Sequence, residues 1–342
     1  MVRYGWHLGH MTDLAEPGEM PARVDTDTHD FAPFVRILGR GPGKSRSLTR
    51  DEARMALGMV LRGEATREQI GAMLMLLRYR GEAHDEMAGL VEAARLHAGL
   101  PWRFTQGVDL DWPSYADGRT RGLPWYLLSA LLLAGAGLRV LMHGPLAGPG
   151  RQALVQSMQA LGIVPSRTPE HAELALATSG FAFVPLETLN PQLAGLLALR
   201  DVLGLRSPLN TVCRLLDPVG ACASVDGVFH PAYIDLHLGA GTLLGRRVSV
   251  LKGGGGEAEW SGLKALTVYS ADGEQLWEPL ASGVKVSSTS VADLVALWRG
   301  KSTDPGAEAA IIGTTAIALR ALDVGLSVEA ALADAKRMWA KR

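Results

Sequence analysis

The segment that most constrains the fold runs from Val108 to Gly162, VDLDWPSYADGRTRGLPWYLLSALLLAGAGLRVLMHGPLAGPGRQALVQSMQALG. A short apolar run, Val108 to Trp112, gives way to a polar loop punctuated by glycine and proline. A helical apolar pattern follows from Leu123 to Ala136, then a β-like run from Leu138 to Met142, a His143-Gly144 turn and a second helix from Gln152 to Leu161. Strand, loop, helix, strand, loop and helix in that order predict a βαβα unit with parallel strands. In such sheets ligands gather outside the carboxyl ends of the strands, where backbone amides and helix N-termini face one space. The loops Pro113 to Gly122 and His143 to Arg151 are therefore the first candidates for function.

At 342 residues the chain can bury roughly three quarters of its unfolded surface. Its 34 Lys and Arg against 35 Asp and Glu advertise no polyanionic partner, so any such site must be a local patch. Cys213 and Cys222 lack metal-ligand spacing and read as reduced intracellular thiols. The first thirty residues hold no apolar segment of the secretory kind, and with the cysteines this predicts a cytoplasmic protein. Residues 1–30, with the scattered His7, His10 and His29, are expected to form a loose tail. The uncharged stretch Gly122 to Leu138 contains Pro124, Ser129 and three glycines, and reads as a buried helix and strand, not as a membrane span.

From Ser47 the pattern turns helical. Ser47 to Glu52 resembles a capping sequence ahead of Met55, Leu57, Val60 and Leu61, and Gly63 ends that helix. Thr66 caps a second with Ile70, Met73, Leu74 and Leu77 on one face, and a third runs from about His84 to His97. Short connections predict an antiparallel helical layer. Beyond the central unit we expect a strand at Gly180 to Pro185 and a helix at Gln192 to Leu203. Gly204 to Ala221 reads as loop, followed by strands at Arg247 to Lys252, Leu263 to Ser270 and Gln275 to Pro279. Helices at Val291 to Trp298, Glu308 to Leu322 and Val328 to Trp339 close the chain.

Gly39 to Ser45, GRGPGKS, resembles a phosphate loop, but Leu38 stands where its first glycine belongs and no strand leads into it. It reads as a basic connector, with Arg36, Arg40, Lys44 and Arg46 close enough to touch a phosphate. The Gly253 to Gly256 run could cradle an anion or simply turn the chain. Glu257 and Glu259 could ligate Mg²⁺ or be solvated, and His143 could be a structural histidine or an acid-base group. No Ser/His/Asp or Cys/His nucleophile pattern is recognisable.

Leu48 to Arg95, with Gly63-Glu64 and Gly81-Glu82, resembles the helical domain of anthranilate phosphoribosyltransferases and the related class II nucleoside phosphorylases. The likeness continues through His143-Gly144, Ala160-Leu161-Gly162 and Leu199-Arg200 to Asn210, covering most of the chain from about residue 32. It implies an α + α/β fold: a small helical domain (31–104 plus about 190–206) and a larger α/β domain (105–189 plus 207–342) with a mostly parallel sheet. It also implies a homodimer formed through the helical part, and substrates bound between the domains.

The family's glycine-rich loop for the phosphoribosyl donor is replaced. Counting back without gaps from His143-Gly144, its slot holds Ser114-Tyr115-Ala116-Asp117-Gly118-Arg119. The family's Asn-Ile-Ser-Thr helix start is Pro124-Trp125-Tyr126-Leu127, its Lys before His-Gly is Met142, and its phosphate turn is Pro149-Gly150-Arg151-Gln152. Its metal-binding Asp-Glu pair falls on Ala258-Glu259. Phosphoribosyl transfer needs bare backbone beside the pyrophosphate, cations for the leaving group and carboxylates for Mg²⁺. Losing a cation and a metal ligand together is expected to cost several orders of magnitude in rate, at about 10²–10³ per electrostatic contact.

Pro113-Ser114-Tyr115 and His230-Pro231-Ala232-Tyr233-Ile234 are similar to a divergent branch typified by YbiB, which implies nucleic-acid binding without established catalysis. On that resemblance the expected function is binding of single-stranded DNA or RNA in an arginine-lined interdomain cleft. The nucleic-acid or phosphate contacts are expected from Ser114, Tyr115, Gly118, Arg119, Arg121, His143, Gly144, Arg151, Arg200 and Arg206. Tyr115 or Trp125 would stack on bases. The alternative is an active phosphoribosyl- or glycosyltransferase using phosphoribosyl pyrophosphate, with Mg²⁺ on Glu257 and Glu259. Otherwise no cofactor is expected.

Overall fold

The computed structural model describes residues 30–115, 122–148 and 150–342. Residues 1–29 of the expected 1–30 tail, and Gly118, Arg119 and Arg121 of the expected site, lie outside the described residues.

The helical layer comprises α1 (Ala32–Gly39), α2 (Arg50–Leu61), α3 (Arg67–Arg80) and α4 (His84–His97). Two of its starts follow from local chemistry. Thr49 accepts from the Glu52 amide while the Glu52 carboxylate accepts from the Thr49 amide, and Thr66 and Gln69 make the same reciprocal pair. α1, which precedes the basic connector, was not delimited from the sequence; its Phe34 and Leu38 complete the layer's core.

Among the described residues, the remaining chain builds one seven-stranded sheet. In order it contains β1 (Leu110–Pro113), α5 (Trp125–Gly135), β2 (Val140–Gly144), α6 (Gln152–Ala160), α7 (Pro169–Ser179) and β3 (Phe181–Pro185). Then come α8 (Leu186–Leu189), α9 (Pro191–Leu197), α10 (Arg200–Leu203), α11 (Leu209–Arg214), β4 (Ala223–Val228), α12 (Tyr233–Leu243) and β5 (Val248–Lys252). A 3₁₀ turn (Gly254–Gly256), β6 (Leu266–Ser270), β7 (Gly273–Trp277), α13 (Val291–Trp298), α14 (Pro305–Leu322) and α15 (Val328–Lys341) complete it. The strand order is β3-β2-β1-β4-β5-β6-β7; the first five strands are parallel and the β5-β6 and β6-β7 pairings antiparallel. The central βαβα unit is present, with β1 and β2 paired in parallel from Leu110–Val140 to Pro113–His143.

Two expectations need correction. Gly204 to Ala221 is not all loop, because Leu209, Val212 and Cys213 are buried on α11. The strand β4 and helix α12 were not expected, since Asp226 and Gly227 interrupt the apolar pattern of one and the other is apolar with little periodicity. The stretch Gly122 to Leu138 forms α5, a turn and the approach to β2, and no helix among the described residues is long and apolar enough to cross a membrane.

One sheet face carries Leu110, Trp112, Val140, Met142, Phe181, Phe183 and Val225 into a core with α5, α14 and α15. The helical layer's core extends through Leu209, Val212 and Cys213 of α11 and Leu236 and Ala240 of α12. On the strand face that alternation turns toward this side lie Asp111, His143, Ser224 and Asp226, all buried. A strand covered on both faces usually reads as a continuous apolar run. This row of polar residues departs from that, and it lies beneath the candidate site.

Candidate functional site

The corner where a phosphorylated donor was expected is filled by the protein's own side chains. Ser114 Oγ donates to Glu257 Oε1 at 3.0 Å, and Arg151 Nη1 donates to the same oxygen at 3.0 Å. Arg151 Nη2 reaches Ser114 Oγ at 3.1 Å, Arg151 Nε donates to the Pro145 carbonyl at 2.9 Å, and Tyr126 Oη lies 3.1 Å from Ser114 Oγ. Glu259 Oε2 accepts from the Tyr126 amide at 2.9 Å, so a carboxylate occupies the N-terminus of α5. Close packing makes this possible. A Cβ on Gly144 would fall 2.0 Å from the Ser114 carbonyl oxygen, and one on Gly227 would fall 2.0 Å from the Glu257 carbonyl carbon.

Arg151 was expected to face the cleft as a phosphate-binding cation. Instead its charge is spent on Glu257, and the two side chains are 4% and 1% exposed. The residues present do not fit the Mg²⁺ that the enzymatic alternative requires. Glu257 Oε1 already accepts from Arg151 and Ser114, and a cation there would sit against a buried guanidinium. Among the described residues no group of three or more His, Cys, Asp or Glu side chains is placed to hold a metal ion.

Tyr115 and Trp125 were expected to stack on bases, but both are buried, at 1% and 4% exposure. Tyr115 Oη lies 2.7 Å from His143 Nδ1, and burial raises the phenol well above its usual pKa. His143 Nε2 lies 3.1 Å from Asp111 Oδ1 without the alignment of a hydrogen bond. Asp111 Oδ2 accepts from Arg246 Nη2 at 2.6 Å, and Arg246 Nε lies 3.4 Å from Asp217. His143 is thus part of an internal polar seam.

The cleft itself opens above this seam as two cavities that share Arg200 and Asn210. One, of about 210 Å³, is lined by Tyr115, Arg151, Leu186, Glu187 and Asp201 as well. The other, of about 330 Å³, is lined by Arg78, Arg200, Arg206 and Arg214, by Phe229 and Tyr233, and by His230 and His237; among the described residues no carboxylate lines it. Arg78 lies 5.3 Å over the Tyr233 ring and Arg206 lies 5.9 Å over the Phe229 ring. Phe229 is 50% exposed, leaving ring surface for a ligand. Arg214 donates to the carbonyls of Tyr115 and Asn210 at 2.9 and 3.0 Å, and burial draws its guanidinium below the usual range against the pull of Glu257 and Asp226.

Of the expected site residues, the structure brings Arg200 and Arg206 to one cavity and puts Tyr115 and Arg151 at the edge of the other. Ser114, His143, Glu257 and Glu259 are buried beneath, and Gly144 packs on Ser114. Arg78, Arg214, Phe229, Asp226 and His237 were not identified from sequence. The available signal was a carboxylate in the middle of an apolar strand, at Asp111 and again at Asp226. Cys213 is buried and Cys222 exposed, both free thiols.

Residues 33–98 match the family described as glycosyl transferase family, helical bundle domain. The chain is 29% identical to an anthranilate phosphoribosyltransferase from Methanosphaerula palustris, over 65% of this chain and 66% of that protein. It is 31% identical to the uncharacterized protein YbiB of Escherichia coli, over 60% of this chain and 65% of that protein. These matches span just under two thirds of the relatives' length. Among solved structures, the anthranilate phosphoribosyltransferase (TrpD) of Thermus thermophilus superposes with a TM-score of 0.75 at 25% identity, covering 92% of this chain and 95% of that one. The Saccharomyces cerevisiae anthranilate phosphoribosyltransferase in complex with PRPP and Mg shares the fold at a TM-score of 0.76 and 16% identity, covering 91% and 94%. With the helical layer, the mostly parallel sheet and the cleft between them, these likenesses place the chain in the anthranilate phosphoribosyltransferase-like (TrpD-like) family of the glycosyltransferase family 3 fold.

Proposed function

We propose that this protein binds single-stranded nucleic acid in the arginine-lined cleft and that its donor site no longer supports phosphoribosyl transfer. The observation that carries the reading is the cavity of about 330 Å³, whose wall among the described residues holds four arginines, two histidines and two aromatic rings. Cations along the backbone path supply sequence-independent affinity, and an exposed ring such as Phe229 offers a stacking surface to any base. The net charge of −1 gives no long-range attraction, so the patch must supply the affinity locally. Gly118, Arg119 and Arg121, which follow Tyr115 in the sequence, belong to the same proposed set of contacts.

Loss of transferase activity is supported by the closed corner. A carboxylate caps α5 where an incoming phosphate would bind, and Glu257 is neutralised by Arg151. We infer a homodimer as well, supported by the exposed Met55, Tyr79 and Leu96 on the helical layer, for which sedimentation is the check.

The test is an oligonucleotide titration at two salt concentrations beside a thermal-shift assay with phosphoribosyl pyrophosphate and Mg²⁺. Binding that weakens steeply with salt, without stabilisation by the sugar donor, is the expected result. Stabilisation by the donor and turnover, with oligonucleotides inert, would overturn the reading in favour of a transferase.

A further inference from the structure

His237 is a buried imidazole. It lies on α12 one turn beyond Tyr233 and lines the cavity of about 330 Å³ beside Arg78, Arg200, Arg206 and Arg214. Its Nδ1 is 2.9 Å from Asp226 Oδ2, and the other Asp226 oxygen accepts from Ser224 Oγ at 2.7 Å. Burial would raise the Asp226 carboxyl, but the hydrogen bond from His237 and the charges of His237 and Arg246 outweigh it and hold the group below its usual range. Burial pushes the His237 imidazole down, against the pull of Asp226 and aided by Arg214 and Arg246. The ring is therefore neutral near pH 7. An ionised carboxylate only accepts, so the ring proton sits on Nδ1. Nε2 is left as a lone pair with no hydrogen-bond partner among the described residues. Among the described residues, the charged side chains that line the same cavity are arginines, which only donate.

A phosphate offers only acceptors, which suits the arginines and leaves Nε2 unmatched. The ligand that fits the whole wall carries anionic oxygen together with a hydroxyl donor. We propose that Asp226 and His237 form an oriented acceptor for the ribose 2′-hydroxyl, so that the cleft selects RNA over DNA. This rests on the nucleic-acid reading above and makes it more specific. With deoxyribose the same acceptor is desolvated and unpaired, and that penalty is the source of the discrimination.

The test uses fluorescence anisotropy with oligo(rU) and oligo(dU) of equal length, whose bases are identical. The full-length protein is expected to bind oligo(rU) about 3- to 10-fold tighter, the worth of one hydrogen bond. His237→Phe should bring the ratio to about 1 by weakening only the RNA complex. Asp226→Asn, which lets an amide donate to Nδ1 and shifts the ring proton to Nε2, should remove the preference while keeping the side-chain shape. Histidine ¹⁵N NMR of the unmodified protein reads the tautomer without any ligand and should show Nε2 unprotonated. UMP against dUMP as competitors separates a free ribonucleotide from a strand, and a preference for UMP supports the same hydroxyl contact. Equal binding of oligo(rU) and oligo(dU), a preference retained in His237→Phe, or a proton on Nε2 would each overturn this proposal alone. Absence of binding to either oligonucleotide would remove the nucleic-acid reading with it.

Discussion

Arg151 and Glu257 meet at 3.0 Å in the interior, and Ser114 Oγ hydrogen-bonds to both. This triangle joins the start of α6 to the turn after β5 and closes the corner between them. A pair so enclosed behaves differently from a surface salt bridge. Removing one partner leaves the other charge buried without compensation, at a cost of about 3–5 kcal/mol. Arg151→Ala is therefore expected to lower the urea-unfolding free energy by roughly that amount, and Arg151→Met with Glu257→Met should recover much of it. A loss under about 1 kcal/mol, typical of an exposed pair, would mean that the corner opens to solvent.

The two arginines stacked on aromatic rings should account for part of the salt dependence. Arg78→Ala with Arg206→Ala is expected to reduce the slope of log K against log salt for a single strand by about 1.4, or about 0.7 per phosphate contact. Titrations across several salt concentrations measure it directly, and an unchanged slope excludes both side chains from the phosphate path. The same experiment on Arg119→Ala with Arg121→Ala tests whether those two arginines share that path.

Phe229 should act through its ring and not through charge. Phe229→Ala is expected to weaken binding by about 1–3 kcal/mol per stacked base with no change in the salt slope. Phe229→Trp should bind at least as well. A fall in slope on removing Phe229 would show that the ring merely holds Arg206 in place.

Acid should destabilise the fold through Asp226 and His237. The folded pKa of Asp226 lies below its ordinary 3.8, so its contribution is present above that value and is lost as pH falls through the folded value. The folded pKa of His237 lies below its ordinary 6.5, so between 6.5 and that folded value the unfolded chain binds a proton that the buried ring refuses. Stability then declines as pH falls below 6.5. Glu82 and Glu86, raised by burial above their ordinary 4.5, act with the opposite sign, losing stability as pH rises through their folded values. The comparison that isolates the imidazole is His237→Gln against the unmodified protein. Between about pH 6.5 and 5 the variant should show a flatter stability profile, by up to about 1.4 kcal/mol per pH unit. Parallel profiles in chemical denaturation would place the His237 charge in solvent.

Much of the fold was legible because its signals are local. Thr49 and Thr66 announce helices through side chains that bond three residues ahead, and the βαβα unit shows in alternating element lengths. β4 escaped notice because Asp226 and Gly227 break its apolar run, and both are there for distant partners. Asp226 pairs with His237, and Gly227 lets the Glu257 backbone pass within contact distance.

The sequence by itself determined the helical layer and the parallel sheet, since periodicity and caps are properties of neighbours along the chain. Which arginines reach the cleft was decided only by the tertiary structure. Arg151 and Glu257 stand 106 positions apart, and nothing in either neighbourhood says that they neutralise each other. Arg78 of α3 and Arg206 after α10 meet in one cavity wall because the helical layer packs on α11 and α12. Whether a charge faces a ligand depends on distances in space that one-dimensional order does not encode.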